Sequence, residues 1–312
     1  MKTALVFPGQ GSQMVGMGKD LYENFSYIRE IFQKIDDILH TKLTKIMFEG
    51  PAEELTKTEN TQPALMAVSI ALITILEKEF GKKITDLAAF VAGHSLGEYS
   101  ALCASKSITL EETAKLLQIR GLAMARCAAK TQGAMAAILG VEIVTAEEIV
   151  QEAALVDEVC QIANDNSVGQ IVISGSKAAI ERALEIAKNK GAKRAILLPV
   201  SGAFHSSLMQ EAQDEMKIAL KQAEIKTPIL PLIANVTADI VTDSNQIRDL
   251  LTRQITGSVR WRETMLFFAS QGVEEVIEVG SGKVLSALVS RTCPNIKSRS
   301  LQNFSDLKNF IS

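Results

Sequence analysis

Five residues, Gly93-His94-Ser95-Leu96-Gly97, constrain this chain more than any others. They fit G-x-S-x-G and stand between an apolar run at residues 86–92 and a helical pattern that resumes after Gly97. In that setting a serine sits on a sharp strand-to-helix turn with its hydroxyl pushed out above a sheet, and the flanking glycines let strand and helix approach closely. The helix N-terminus behind Ser95 adds backbone N–H groups and the positive end of a dipole, which suits an oxyanion. The bland alternative is a Gly-Ser turn without chemistry, and the strand–turn–helix context argues against it.

The remaining pattern agrees with a sheet that could carry such a turn. Apolar residues make up 47% of the 312 positions and charged residues 22%, enough for a sizeable soluble core in one large domain or a domain with an insert. A strand at residues 3–7 meets a Pro-Gly-Gln-Gly turn, and helical periodicity follows at 21–39, 61–80 and about 109–129. Thr109 and Glu112 have the spacing of a capping box at the start of the last of these. Residues 134–199 read differently: strand 134–139, helix 146–154, strand 159–163, a turn at 164–169, strand 171–174, helix 178–188 and strand 194–198. That β-α-β-β-α-β order is the ferredoxin-like unit, at a size suited to an insert. Beyond Pro199 the alternation resumes, with helices at 208–223, 245–255, 261–269 and 284–290 and strands at 229–234 and 273–279. The expected fold is α/β: a hydrolase-like, mainly parallel sheet domain over residues 1–130 and 200–312, with a ferredoxin-like subdomain inserted at 131–199.

A nucleophilic serine needs a base, and the chain has three histidines, His40, His94 and His205. His40 ends a polar-faced helix and reads as a solvated surface residue. His94 adjoins Ser95, but neighbours on a tight elbow point in different directions. By elimination the base is His205, on a segment leaving a strand after Pro199, in the nucleophile-then-base order of this sheet type.

Several function classes drop out. A net charge of -3 and 5% aromatic residues favour neither nucleic acid nor an anionic membrane as partner. The apolar stretch at 64–76 is too short for a membrane span. Four scattered cysteines suggest neither a metal cluster nor a disulfide framework, and point to reduced thiols in a cytoplasmic protein. Gly9-Gln10-Gly11 has the wrong glycine spacing for a dinucleotide fingerprint. Gly280-Ser281-Gly282-Lys283 resembles a P-loop, but its first glycine is too close and Val284 replaces the magnesium-holding hydroxyl. Arg120 is even-handed on the residues alone: it reads equally as a solvated helical arginine or as a cation that must find a partner among Leu116, Leu117 and residues 122–125.

These motifs together carry a resemblance. Residues 7–13 (Phe-Pro-Gly-Gln-Gly-Ser-Gln), 93–98 (Gly-His-Ser-Leu-Gly-Glu) and 118–121 (Gln-Ile-Arg-Gly) are similar to those of the malonyl-CoA:acyl-carrier-protein transacylases. So, in the same order, are residues 166–175, 204–206, 259–261 and 278–284, over nearly the full length. Ser281 stands where that family often has proline. The resemblance implies Ser95 as nucleophile, His205 as base, and the Gln10 and Leu96 N–H groups as oxyanion donors. It implies Arg120 as partner of the malonyl carboxylate, and Gln254 near a histidine oriented by main-chain carbonyls. Phe204, which would crowd a 2-methyl branch, Met124 and His94 complete the substrate site. Malonyl-CoA and the phosphopantetheine arm of acyl carrier protein would be substrates, with no permanently bound cofactor or metal, in a monomer serving fatty acid synthesis. The alternatives are a discrete polyketide-type acyltransferase and a serine thioesterase or acyl hydrolase. Lys188, Lys190, Lys193 and Arg194 are candidates for steering an acidic carrier, with a solvated charge run as the weightier reading.

Overall fold

The computed structural model describes residues 1–200 and 202–312. Among the described residues ten strands run in chain order as β1 (Thr3–Phe7), β2 (Phe90–Gly93), β3 (Gly133–Leu139), β4 (Cys160–Ser167), β5 (Gln170–Ser176), β6 (Arg194–Leu197), β7 (Leu232–Ile233), β8 (Ile240–Val241), β9 (Glu275–Val279) and β10 (Lys297–Leu301). They form two sheets. The first has the order β10-β9-β1-β2-β7-β8 and is parallel throughout except for the β7–β8 pair. The second is antiparallel, with the order β4-β5-β3-β6 and two helices, Ile143–Ala153 and Lys177–Asn189, between its strands. The fold is thus α/β, a mainly parallel six-stranded sheet with a separate four-stranded antiparallel subdomain.

The central strands are buried on both faces, so β1 and β2 read as near-continuous apolar runs, while β9 carries two buried acids, Glu275 paired with Arg299 and Glu278 accepting the Leu285 and Ser286 N–H groups. One face of the large sheet supports a core built around the Thr58–Phe80 and Leu110–Lys130 helices, and the other packs on Trp261, Met265 and Phe268. The small sheet has its own core of Ala136, Ile138, Ile173, Ile180 and neighbours. Thr109 caps the Leu110–Lys130 helix by accepting the Glu112 N–H at 3.2 Å.

Local pattern misled in places, each for a visible reason. The helix expected at 21–39 is two, Lys19–Asn24 and Ser26–Leu39, because Phe25 turns extended and packs edge-on against Phe304 at 4.8 Å. The strand expected at 86–92 begins as a helical turn, Ile84–Leu87, where Asp86 accepts the Lys83 N–H, and is extended only from Phe90. Residues 164–167, expected as a turn, continue β4, and the turn is confined to Val168 and Gly169. The run stays extended because Asn164, Asp165 and Ser167 pair with Val172, Ile171 and Gln170 of β5, while Asp165 and Asn166 take side-chain partners beyond the sheet. The Asp165 N–H donates to the Val259 carbonyl at 3.0 Å, and the Asp165 carboxylate takes both an Nε and an Nη2 bond from Arg262. The strand expected at 229–234 shrinks to β7 and hairpins into β8. β10 and the helix Phe304–Ile311 went unread because a five-residue edge strand rich in charge and hydroxyls carries little signal.

Asp165 is buried while Arg262 remains partly open to solvent, and the pair ties the small sheet to the Trp261–Ser270 helix. Removing the arginine strands a buried carboxylate. Arg262→Ala should therefore cost stability near the low end of ~3–5 kcal/mol, read by chemical denaturation. A loss under about 1 kcal/mol, the scale of an exposed pair, would show the contact to be superficial.

Candidate active site

The turn after β2 is held by backbone packed on backbone. A Cβ on Gly93 would fall on the Gly97 carbonyl group, and one on Gly97 on the Phe7 carbonyl oxygen at the end of β1. With no side chains there, the Gly97–Ala104 helix starts directly over the strand ends, and Ser95 is forced to φ 53. A left-handed serine is strained, and the surrounding bonds hold it. Asn235, just past β7, accepts the Ser95 N–H through Oδ1 at 2.8 Å and donates through Nδ2 to the Gly93 carbonyl at 2.7 Å.

His205 arrives from the other direction. It follows β6, a strand of the small sheet, and its segment returns to the edge of the large one, so the two sheets jointly frame the site. His205 is also left-handed, at φ 57. Its Nε2 lies 2.8 Å from Ser95 Oγ, while Nδ1 donates to the Gln254 carbonyl at 2.8 Å and the Gly257 carbonyl at 3.2 Å. No carboxylate touches the ring among the described residues. The two carbonyls require a proton on Nδ1, which leaves the Nε2 lone pair facing the serine hydroxyl. Burial first, and then the Arg120 charge, push this imidazole down to about 3, so it is neutral and able to accept a proton.

Arg120 is not a surface residue: it is 1% exposed and reaches the same point. Its Nη2 donates to Ser95 Oγ at 3.0 Å and to Gln254 Oε1 at 2.9 Å, and its Nη1 donates to Gln62 Oε1 at 2.8 Å. It makes no ion pair among the described residues, its Nε has no partner, and the Tyr99 ring lies 5.8 Å from the guanidinium carbon. Burial lowers its pKa from the usual value. A buried guanidinium with neutral partners and an unused donor, beside a strained serine hydroxyl, is an open place for an anion.

The other expected residues fall around this pair. Gln10, on the loop after β1, accepts the Thr58 hydroxyl at 3.0 Å; Thr58 in turn accepts from Gln62 Nε2 at 3.0 Å, so a chain of bonds runs from Gln10 to Arg120. The Gln10 and Leu96 N–H groups make no hydrogen bond among the described residues. Leu96 caps the start of its helix, and the Ser95 N–H is already taken by Asn235. Met124 is buried with its sulfur 3.7 Å from Gln62 Nε2, and Phe204 is buried beside His205. His94 turns away from the serine: its Nε2 meets Asn166 Oδ1 at 2.8 Å and its ring tilts against Trp261, linking the elbow to β4. Burial holds the His94 pKa below the ordinary value. His40 is exposed at a helix end. Of the basic cluster, Lys188 pairs with Glu185 and Lys190 with Glu148 and Glu152, which favours the solvated-charge reading.

Motif reading missed Asn235, Gln62 and Thr58. Asn235 had a signal, a polar residue at the carboxyl end of an apolar strand of a parallel sheet, where sites gather. Gln62 had another, a polar residue in an apolar helix four positions after Thr58.

The chain is similar to known proteins over its whole length. Residues 4–305 match the family model of the acyl transferase domain. The malonyl CoA-acyl carrier protein transacylase of Bacillus subtilis is 44% identical over 95% of this chain and 92% of its own. That of Escherichia coli is 40% identical over 96% and 95%. The crystal structure of an acyl-carrier-protein S-malonyltransferase from Bartonella henselae superposes with a TM-score of 0.96 at 50% identity, covering 100% of this chain and 98% of that one. A malonyl-transacylase solved in complex with its type II polyketide acyl-carrier protein superposes with a TM-score of 0.95 at 37% identity, over 100% and 99%.

The depressed pKa of His205 has a consequence for stability. An unfolded histidine binds its proton near 6.5 and the folded one only near about 3. Between these values the unfolded chain holds the extra proton, so the contribution is complete above about pH 6.5 and is lost as pH falls toward about 3. Going from about pH 7 to about pH 4, wild type should lose more unfolding free energy than His205→Asn. Equal losses in denaturant titrations would mean that the imidazole is not held neutral.

Proposed function

Since the chain belongs to the malonyl-CoA:acyl carrier protein transacylases of the acyl transferase family, we propose that Ser95, His205 and Arg120 carry the reaction, with Gln10 and Leu96 as oxyanion donors. The protein moves a malonyl group from malonyl-CoA to acyl carrier protein for fatty acid synthesis. The observation that carries the residue assignment is the convergence on Ser95 Oγ of a neutral imidazole at 2.8 Å and a buried guanidinium at 3.0 Å.

The steps follow from that geometry. His205 Nε2 takes the Ser95 proton as Oγ bonds to the thioester carbonyl carbon, and the charge on the carbonyl oxygen is met by the Gln10 and Leu96 N–H groups. Collapse breaks the carbon–sulfur bond, and the departing CoA sulfur takes the proton from His205. A malonyl-serine ester remains. The phosphopantetheine thiol of the carrier then enters, gives its proton to His205 and attacks the ester, and Ser95 recovers its proton as it leaves. The Gln254 and Gly257 carbonyls do the orienting that an acid does in a serine triad, without adding a negative charge beside an anionic substrate. Arg120 Nη2 beside Oγ is within reach of a carboxylate one methylene from the ester carbonyl, with Phe204 and Met124 lining the acyl side and Gln254 holding the arginine. His94 acts on the site through Asn166 and the elbow.

Further parts of the reading belong with it. Residues 131–199 form the small ferredoxin-like subdomain and 1–130 with 200–312 the large one. The protein works as a cytoplasmic monomer, with carrier protein as its macromolecular partner and no permanently bound cofactor or metal. A plain acyl hydrolase is disfavoured because a neutral acyl chain would leave the Arg120 charge unmatched.

Two outcomes test the assignment. Incubation with malonyl-CoA should add one malonyl mass at Ser95, and Ser95→Ala should add none while keeping the wild-type unfolding profile; labelling of the mutant at the normal rate would place the nucleophile elsewhere. Arg120→Ala leaves the malonyl carboxylate without its counter-charge, a loss of ~3–5 kcal/mol or about 10²–10⁴-fold in malonyl transfer. Acetyl transfer should fall far less. A common factor for both acyl groups would make Arg120 a structural residue.

A further inference from the structure

Glu98 has no part in the steps above, yet it is 1% exposed and stands three residues after the nucleophile, in the first turn of the Gly97–Ala104 helix. Its Oε2 accepts Gln254 Nε2 at 2.6 Å and the Asn235 N–H at 3.3 Å. Each of these partners holds a working group directly. Gln254 Oε1 accepts Arg120 Nη2 at 2.9 Å, and Asn235 Oδ1 accepts the Ser95 N–H at 2.8 Å.

The Gln254 amide is the critical joint. A carboxamide can sit in either of two orientations related by a half-turn, and its neighbours decide between them. Gln254 Nε2 faces three acceptors: Glu98 Oε2 at 2.6 Å, the Ser95 carbonyl at 3.0 Å and Asn235 Oδ1 at 3.3 Å. Glu98 is the nearest of the three and the only carboxylate. With the amide turned the other way, an NH₂ group would face the Arg120 guanidinium and a carbonyl oxygen would face the carboxylate, donor on donor and acceptor on acceptor.

We propose that Glu98 is a positioning residue for malonyl selection, orienting the Gln254 amide so that its oxygen keeps Arg120 Nη2 beside Ser95 Oγ. The inference rests on the reading of Arg120 as the malonyl partner. Burial pushes the Glu98 carboxyl up to about 7, while the Gln254 and Asn235 bonds and the Arg120 charge work to keep it ionised. A buried acid kept at that cost makes sense where its acceptor is needed. Helix formation alone does not need it, since the helix is short and buried along its whole length.

The test compares kcat/KM for malonyl-CoA and acetyl-CoA in wild type, Glu98→Gln and Glu98→Met. Glutamine keeps an acceptor for Gln254, and methionine keeps the length and removes it. A charge-assisted bond of this type corresponds to about a tenfold to hundredfold effect. Glu98→Met should lower the malonyl-to-acetyl ratio by that factor, chiefly through KM for malonyl-CoA, and Glu98→Gln should recover most of it. Equal losses for both acyl groups, an unchanged ratio in Glu98→Met, or no rescue by glutamine would each overturn the proposal. Should Glu98→Met not fold, Gln254→Met breaks the same joint from its other end and keeps the main-chain carbonyl on His205; an unchanged ratio there is equally fatal. The wild-type ratio separates the two readings. If wild type does not prefer malonyl, the Arg120 assignment fails first; if it does and the variants keep the preference, only the role of Glu98 fails.

Discussion

The contact of the Gly97 backbone with the ends of β1 and β2 is the constraint on which the rest of this molecule depends. No side chain fits at Gly93 or Gly97 without displacing a carbonyl group. That closeness starts a helix directly above the sheet, drives Ser95 into the left-handed region and turns its hydroxyl toward the carboxyl ends of the strands. Everything else in the site is arranged around a position fixed by backbone. Asn235 clamps the turn from β7, His94 anchors it to β4, and the Leu96 N–H is left without a partner among the described residues.

Around that serine the protein solves an electrostatic problem with few charges. The substrate brings a carboxylate, so the histidine is oriented by two carbonyl oxygens, and burial together with the arginine keeps it neutral. The Arg120 cation is held by two amide oxygens, which bond its Nη groups without neutralising it and leave its Nε unused among the described residues. Low dielectric strengthens the attraction for an incoming anion and also makes the empty state costly, which explains how many buried amides the site contains.

The two sheets divide the work. The large parallel sheet supplies the elbow, the Asn235 clamp and the helix that bears Arg120, while β6 of the small sheet launches the segment that ends in His205. Beside the apolar core that Met135, Ala163 and Val172 share with the large sheet, contact between them includes specific polar pairs: Asp165 with Arg262, the Asn164–Val259 bridge and His94 with Asn166. These contacts use a polar run in β4 that looks like a turn from its composition but pairs with β5.

Much of the fold could be read from the chain because its signals are local. Apolar runs of four or five residues mark strands buried on both faces, helical periodicity marks the covering layer, and a serine between two glycines marks a turn that only a strand-to-helix crossing explains. With three histidines in the chain, elimination pointed to His205, whose Nε2 lies 2.8 Å from Ser95 Oγ. What stayed hidden depends on partners far away in sequence. Phe25 breaks a helix because Phe304 is beside it, and residues 164–167 are extended because β5 pairs with one edge of them and Val259 meets the other. Whether Arg120 faced solvent or the Ser95 hydroxyl was undecidable from its own helix, since an apolar neighbourhood states only that a charge there must be answered. The chain alone determined which groups were available and how the strands and helices alternate. Tertiary structure decided which amide met which charge, because hydrogen bonds of 2.6 to 3.0 Å around Gln254 bring together residues up to 159 positions apart, and no local pattern records that distance.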